Sequence, residues 1–278
     1  MIGWRLAQSG HRVSVVCRST YNHIKADGFV LRTLLWGNGR FVPERVLQAG
    51  SVHQGSLTRP YDYIVLANKI KSIDDAYRTI RALEAVICDE TTLISVQNGM
   101  DNEVPWRLAF ANNTILSAVC NVSCSQNRPG FVEQTAAIKP HAFHLGIYNK
   151  EKPATARDWQ RLKSLATADV QFRAVDNIIE EKWQKLIFNS AWNSMTAIAG
   201  VDTHELLRCP SSIEIVQRLA EEALRIGNAS GVRLADVLPE RIVEVAKESG
   251  SITTSTLRDV RKGRRLETLP ISGRSFCI

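Results

Sequence analysis

The sequence predicts two domains of different class: an α/β N-terminal domain, residues 1–174, with the first strand of its parallel sheet missing, and an all-α C-terminal domain, residues 175–278. Three observations predict it. Through residue 174, short β-branched or apolar runs alternate with amphipathic helical stretches, the pattern of a parallel sheet with helices on its faces. From about residue 175 the apolar spacing becomes wholly helical. The chain also opens on a helix and a second strand, which belong to the middle of a dinucleotide-binding unit. A length of 278 residues, with 44% hydrophobic and 23% charged, suits one large globular domain or two ordinary ones.

Residues 2–10 read as a helix closed by Gly10, running into a strand at 13–17 and then Arg18. In a dinucleotide-binding unit a strand and a G-x-G-x-x-G turn come immediately before such a helix, and Gly3 stands where the last of those glycines belongs. The other two glycines and the strand fall before Met1. Gly3 alone is weak evidence, because an ordinary small residue also serves at a helix start. Arg18 adds to it. At the end of the second strand, where a cofactor ribose lies, an acidic residue favours a 2′-hydroxyl, whereas an arginine pairs with a 2′-phosphate. The expected cofactor is NADP rather than NAD, the alternative being that Arg18 is a plain surface residue.

Further strands are expected at 63–67, 92–96 and 115–119, with a helix at 73–86. In the second half, helices are expected at 178–199, 212–230 and 238–249, joined by loops at 202–211 and 231–235. Within the first of these helices, Lys185, Asn189 and Asn193 recur every four positions on an otherwise apolar surface. At about 100° per residue their stripe drifts only about 80° from first to last. Burying an ammonium and two amides among Trp183, Leu186, Ile187, Phe188 and Trp192 is costly unless something polar faces them. A bound polar ligand is the economical answer.

The formal charge of +7 fits an anionic partner without choosing among nucleic acid, membrane surface and a phosphorylated cofactor with an acidic substrate. The densest basic run, residues 258–265, carries an internal Asp259 and no interleaved aromatics, so it reads as a solvated helix face and turn, and nucleic acid is not expected as a partner. No run reaches the roughly 18 apolar residues of a membrane span, and no signal-peptide pattern follows Met1, so the expectation is a cytoplasmic protein with no membrane partner. Six scattered cysteines match neither a disulfide framework nor a metal site. Cys120 and Cys124 read as buried or idle thiols. On a strand, His141 and His144 would point to opposite faces, so no metal is expected.

Five segments carry a family likeness: Gly3 to Arg18, Tyr63 to Lys69, Ser95-Val96-Gln97-Asn98-Gly99, Trp183 to Asn193, and Thr254 to Asp259 followed by Glu267. In order and spacing they resemble ketopantoate reductase (2-dehydropantoate 2-reductase), particularly its fungal members, over almost the whole chain. The resemblance implies a Rossmann-type N-terminal domain, a helical C-terminal domain, and reduction of a small 2-oxo acid, ketopantoate, with NADPH. It implies that Lys185 is the catalytic lysine, which suits the chemistry: hydride arriving at a ketone carbon creates an alkoxide that a positioned ammonium stabilises and protonates. By the same resemblance Asn189 and Asn193 bind substrate, Glu267 holds its hydroxyl, and Ser255 meets its carboxylate. Asn98, following strand 92–96, approaches cofactor and substrate in the crevice outside the sheet. Lys69, following strand 63–67, completes a cofactor-binding set with Gly3 and Arg18. A homodimer is left open.

The chain departs from the family at Asn68, where an apolar or small residue is usual, at Leu266, where threonine is usual, and after Gly273, where Arg274 to Ile278 replace a final helix. The absent first strand is normally central. Losing about ten backbone hydrogen bonds at about 1 kcal/mol each would rival the stability of a typical domain, and the pyrophosphate would lack its Gly-rich turn. Weak NADPH binding is expected from the chain as written, and an incomplete or alternatively spliced gene model, or a recently truncated copy, of an active reductase is the expected origin. Two alternatives stay open: a pathway-specific reductase of another carbonyl, and a non-catalytic family member.

Overall fold

The apolar runs of the first half are short, β-branched and bounded by turn residues, and they become strands by pairing with neighbours that bury the same face. The structure, a computed structural model, describes residues 1–52, 60–148, 152–268 and 271. Gly273 and the Arg274 to Ile278 tail lie outside the described residues.

Helix α1 (Ile2–Gln8) leads into β1 (Ser14–Cys17), followed by α2 (Tyr21–Asp27), β2 (Phe29–Thr33), β3 (Gly39–Phe41) and β4 (Arg45–Gln48). Next come β5 (Tyr63–Leu66), α3 (Ile73–Leu83), β6 (Thr92–Ser95), α4 (Val104–Ala109) and β7 (Ile115–Cys120). The α/β half finishes with β8 (Val122–Arg128), β9 (Phe131–Ala137), β10 (Phe143–Ile147), α5 (Ala156–Ala166) and β11 (Phe172–Ala174). The four expected strands and helix 73–86 are present, the last turn of that helix being a tighter 3-10 segment at Glu84–Val86.

Three sheets replace the single parallel one that alternation alone suggests. The largest runs β11-β10-β7-β6-β5, in which β5, β6 and β7 are parallel and β10 is antiparallel to β7. The reversal follows from the path after Cys120, where the chain leaves as the β8–β9 hairpin and returns along β7 in the opposite sense. That hairpin joins β2 and β3 in a second sheet of order β3-β2-β9-β8. Among the described residues strand β1 pairs with β4 alone, in parallel. Among the described residues, β1 and β5 are therefore both edge strands, each with one ladder open.

The second half is helical: α6 (Ile178–Phe188), a π-helical turn (Asn189–Asn193), α7 (Ser194–Ala199), α8 (Thr203–Leu207), α9 (Pro210–Ala229), α10 (Leu238–Glu248) and α11 (Ser255–Arg261). Segment 202–211, expected as a loop, contains α8 because Asp202 and Glu205 close a reciprocal capping box that satisfies the first-turn amides. Its own core gathers Trp183, Ile187, Trp192, Val216, Ala220 and Ala246, all nearly or fully buried. The indole of Trp192 donates to the Ile242 carbonyl at 3.2 Å, tying the π turn to α10. Met100, from the loop after β6, packs into this helical core and links the halves. Among the described residues no helix is long and apolar enough to cross a membrane.

Candidate active site

The site lies where the carboxyl ends of β6 and β7 meet α6. Lys185, Asn98 and Asn189 line one cavity there, together with Gln97, Gly99 and Lys182. The loop after β6 brings Asn98 in because Gly99 adopts a left-handed backbone, φ 92°, which a side chain would strain. Lys185 is partly buried, and its Nζ donates to the Cys120 carbonyl at the end of β7, 2.6 Å away. Burial foremost, and the neighbouring Lys182, push its pKa below the ordinary lysine value, while Cys120, Cys124 and Glu267 pull the other way.

The polar stripe is not a simple α-helical one. Residues Asn189–Asn193 widen into a π turn, which rotates less per residue than an α-helix and so offsets the drift that two successive four-residue steps accumulate. Asn189 and Asn193 are 9% and 5% exposed. Insertions of this kind inside α-helices occur frequently at functional sites.

Ser255 is the first residue of α11, which Thr254 caps by accepting from the Leu257 amide. One α-helical turn later Asp259, nearly buried, is ion-paired with Lys69, and Lys69 Nζ also lies 3.3 Å from Glu267 Oε2. Lys69 and Glu267, expected on cofactor and substrate respectively, thus meet each other. Burial foremost raises the Glu267 carboxyl above its usual range, with Asp259 adding and Lys69 opposing.

Gly3 and Arg18 lie on α1 and directly after β1. A Cβ on Gly3 would come within 3.3 Å of Val13 Cγ1, so this glycine permits close packing of helix on strand. Arg18 is exposed. The structure does not bring either residue into the cavity that holds Lys185.

Four residues escaped the sequence reading. Asp259 and Arg258 belong to the run expected to be a solvated face, yet Asp259 is buried and Arg258 is half-buried, 3.5 Å from Ser123 Oγ on β8. Their signal was position: Asp259 follows Ser255 by four and Arg258 by three, so all three share one side of α11. Glu103 and Lys182 form a buried pair beside the site. Lys182 was signalled by its three-residue spacing from Lys185. Cys124 is partly buried near Lys185 and its thiol is pushed up to about 12, chiefly by loss of solvent around it. His144 donates or accepts at Nδ1 with Glu181 Oε2, 2.9 Å away, on the flank of α6.

Residues 1–150 match the family described as ketopantoate reductase PanE/ApbA, and residues 177–275 match its C-terminal domain. A 2-dehydropantoate 2-reductase of Halobacterium salinarum is 26% identical over 232 residues, covering 82% of this chain and 73% of that protein. The crystal structure of 2-dehydropantoate 2-reductase from Methylococcus capsulatus superposes with a TM-score of 0.80 at 26% identity, covering 99% of this chain and 84% of that one. D-mandelate dehydrogenase, in a ternary structure with NADH and anilino(oxo)acetate, shares the fold with a TM-score of 0.78 at 19% identity, over 99% of this chain and 86% of that one. Taken with the two-part architecture and the Lys185 cavity between the halves, these matches mean that the chain belongs to the ketopantoate reductase family.

Proposed function

We propose that the chain reduces ketopantoate, or a 2-oxo acid of the same class, to the 2-hydroxy acid, with NADPH as the hydride source. The observation that carries this reading is the Lys185 ammonium at the wall of a cavity shared by Asn98 and Asn189, between the sheet and the helical half. The residues present fit the nucleotide in two respects: Gly3 allows the close helix–strand approach that a dinucleotide fold requires, and Arg18 stands exposed at the strand end suited to a 2′-phosphate. When bound, the nicotinamide supplies the hydride.

Lys185 then stabilises the charge developing on the carbonyl oxygen and delivers a proton from Nζ, completing the alcohol. The depressed pKa makes it a readier acid. Asn98 and Asn189 offer amide donors and acceptors that orient the substrate, and Asn193 continues their line. Ser255 meets the substrate carboxylate at the start of α11. Glu267, its carboxyl raised by burial, holds the hydroxyl and is itself steadied by Lys69.

A different 2-oxo acid or carbonyl is favoured as a second reading by Asn68. Gln97 Nε2 donates to both its backbone oxygen at 2.9 Å and its Oδ1 at 3.0 Å, so this unusual residue fixes a side chain that lines the cavity. Loss of NADPH absorbance on adding ketopantoate tests the first reading, and comparing kcat/KM across branched 2-oxo acids tests the second. Arg18→Asp is expected to weaken NADPH binding at least about tenfold and to narrow the preference over NADH. Saturable binding of neither dinucleotide, or an unchanged preference in Arg18→Asp, would remove the corresponding part of the proposal.

A further inference from the structure

Lys182 precedes Lys185 by three residues on α6, so both side chains leave one face of the helix, and both line the cavity. Two ammonium groups in a partly dewatered cleft would repel each other and compete for one substrate oxygen. Lys185 is held by a neutral acceptor, the Cys120 carbonyl, whereas Lys182 is held by a carboxylate. Its Nζ donates to Glu103 Oε1 at 2.5 Å, and Ser117 Oγ on β7 donates to the same oxygen at 2.5 Å. The two charged side chains are 4% and 0% exposed. Glu103 Oε2 is buried without a hydrogen-bond partner, an arrangement that costs stability. A buried pair of this sort stabilises a fold poorly compared with apolar side chains of the same size, so a stability role does not account for it.

We propose that Glu103 and Lys182 are positioning residues for the reduction: Glu103 holds the Lys182 ammonium against the sheet side of the cleft, so that Lys185 is the cation presented to the reacting oxygen. The proposal rests on the reading of Lys185 as proton donor. The contact also crosses the cleft, because Glu103 precedes α4 in the α/β half and Lys182 belongs to the helical half. The groups facing Lys185 are Cys120 on β7, Cys124 on β8, Lys182 on its own helix and Glu267 beyond α11, with the neutral amides of Asn98 and Asn189 completing the cavity. Cys124 in turn faces the Met1 amine and Arg258. Burial is the first cause of the lowered Lys185 pKa, and of these groups Lys182 is the cation that adds to it, so its placement bears on how readily Lys185 gives up its proton.

The test is the titration midpoint of Lys185 in Glu103→Gln and Lys182→Met, read by lysine 13Cε NMR with the resonance assigned from Lys185→Arg, beside the alkaline limb of kcat. Glu103→Gln releases a positive Lys182 toward Lys185 and is expected to move the midpoint to lower pH by about half a unit or more. Lys182→Met leaves the Glu103 carboxylate facing Lys185 and is expected to move it the opposite way by a similar amount. The double variant should return to within about a fifth of a unit of the parent. Glu103→Asp, a milder change that keeps the charge, should shift the midpoint down by less than Glu103→Gln. Midpoints that stay fixed, or that move together in one direction while circular dichroism shows the fold intact, overturn the proposal. Because the NMR midpoint is readable without turnover, an inactive parent chain would count against the reductase reading and leave this test decisive.

Discussion

Replacing Lys185 with alanine removes the ammonium bonded to the Cys120 carbonyl at the cavity wall, and leaves the cavity to the uncharged Asn98 and Asn189 and to Lys182, which is held by Glu103. General acid catalysis by a positioned side chain contributes about 10²- to 10⁴-fold, which at 1.36 kcal/mol per tenfold is about 3 to 5 kcal/mol of barrier. The effect on stability is much smaller: the lost bond to the Cys120 carbonyl costs about 1 kcal/mol, offset by relief of a buried charge. Steady-state loss of NADPH absorbance gives kcat, and nicotinamide fluorescence gives cofactor affinity in the same preparation. Lys185→Ala is expected to lose at least about a hundredfold in kcat with cofactor affinity within about threefold of the parent. The pH dependence carries the same logic. As the proposed proton donor Lys185 would act only when protonated, so kcat should fall as pH rises through its pKa, and burial places that fall below the ordinary lysine value of 10.5. A variant retaining more than about a tenth of kcat, or losing affinity in step with kcat, would refute the assignment of the proton to this residue.

Two further outcomes concern the frame around the site. Burial alone would raise Glu181, yet its hydrogen bonds with His144 and from Lys139 outweigh it and hold the carboxyl down to about 2. Since that lies below the unfolded value of 4.5, its stabilisation is fully present above about pH 4.5 and is lost as pH falls toward 2. Glu181→Gln should cost about 1 to 2 kcal/mol at neutral pH and nothing near pH 2, measured by urea unfolding across that range, and a loss equal at both ends would contradict the linkage. Trp192→Ala empties a fully buried site and breaks the indole bond to the Ile242 carbonyl, an expected loss of about 3 to 5 kcal/mol and of about 10 °C in Tm by calorimetry. A shift under about 3 °C would mean that the π turn is held by something other than this indole.

What could be read from the sequence was whatever one segment decides by itself. Strands β6 and β7 are short, mostly apolar runs buried inside the sheet, and β5 is an apolar run at its partly buried edge, so composition fixes all three to within a residue. Strands β8 and β9 were missed because they are half-exposed, carry Ser, Gln, Asn and Glu, and shift register twice against each other, so no clean alternation survives. Lys185 and the two asparagines stood out because polar groups on an apolar helix demand a partner. The π turn that aligns them did not, since a one-residue widening leaves no mark in the residue pattern, and Trp192 inside it bonds to α10, 50 residues away. Asp259 and Arg258 were hidden inside a charge-rich run that resembles any solvated helix face, and Glu103 sat in a loop whose partner is 79 residues away.

The contacts across the cleft share one property. Lys182 meets Glu103, Lys185 meets the Cys120 carbonyl, Lys69 meets Asp259 and Glu267, Glu181 meets His144 and Lys139, and Arg258 reaches Ser123. Each joins the α/β half to the helical half through a charge or hydrogen bond, whereas the apolar cores are gathered separately on either side, with Met100 and Ile179 among the apolar residues that cross. Apolar interfaces resist sliding because every displacement exposes surface, but polar pairs can exchange partners with water or with a ligand that carries the same groups. A 2-oxo acid brings a carboxylate and a carbonyl oxygen into a cleft whose walls already trade in ammonium, amide and carboxyl groups. A substrate carrying those groups can therefore compete for these contacts, so that the side chains joining the two halves are also the ones a 2-oxo acid would meet in the cleft.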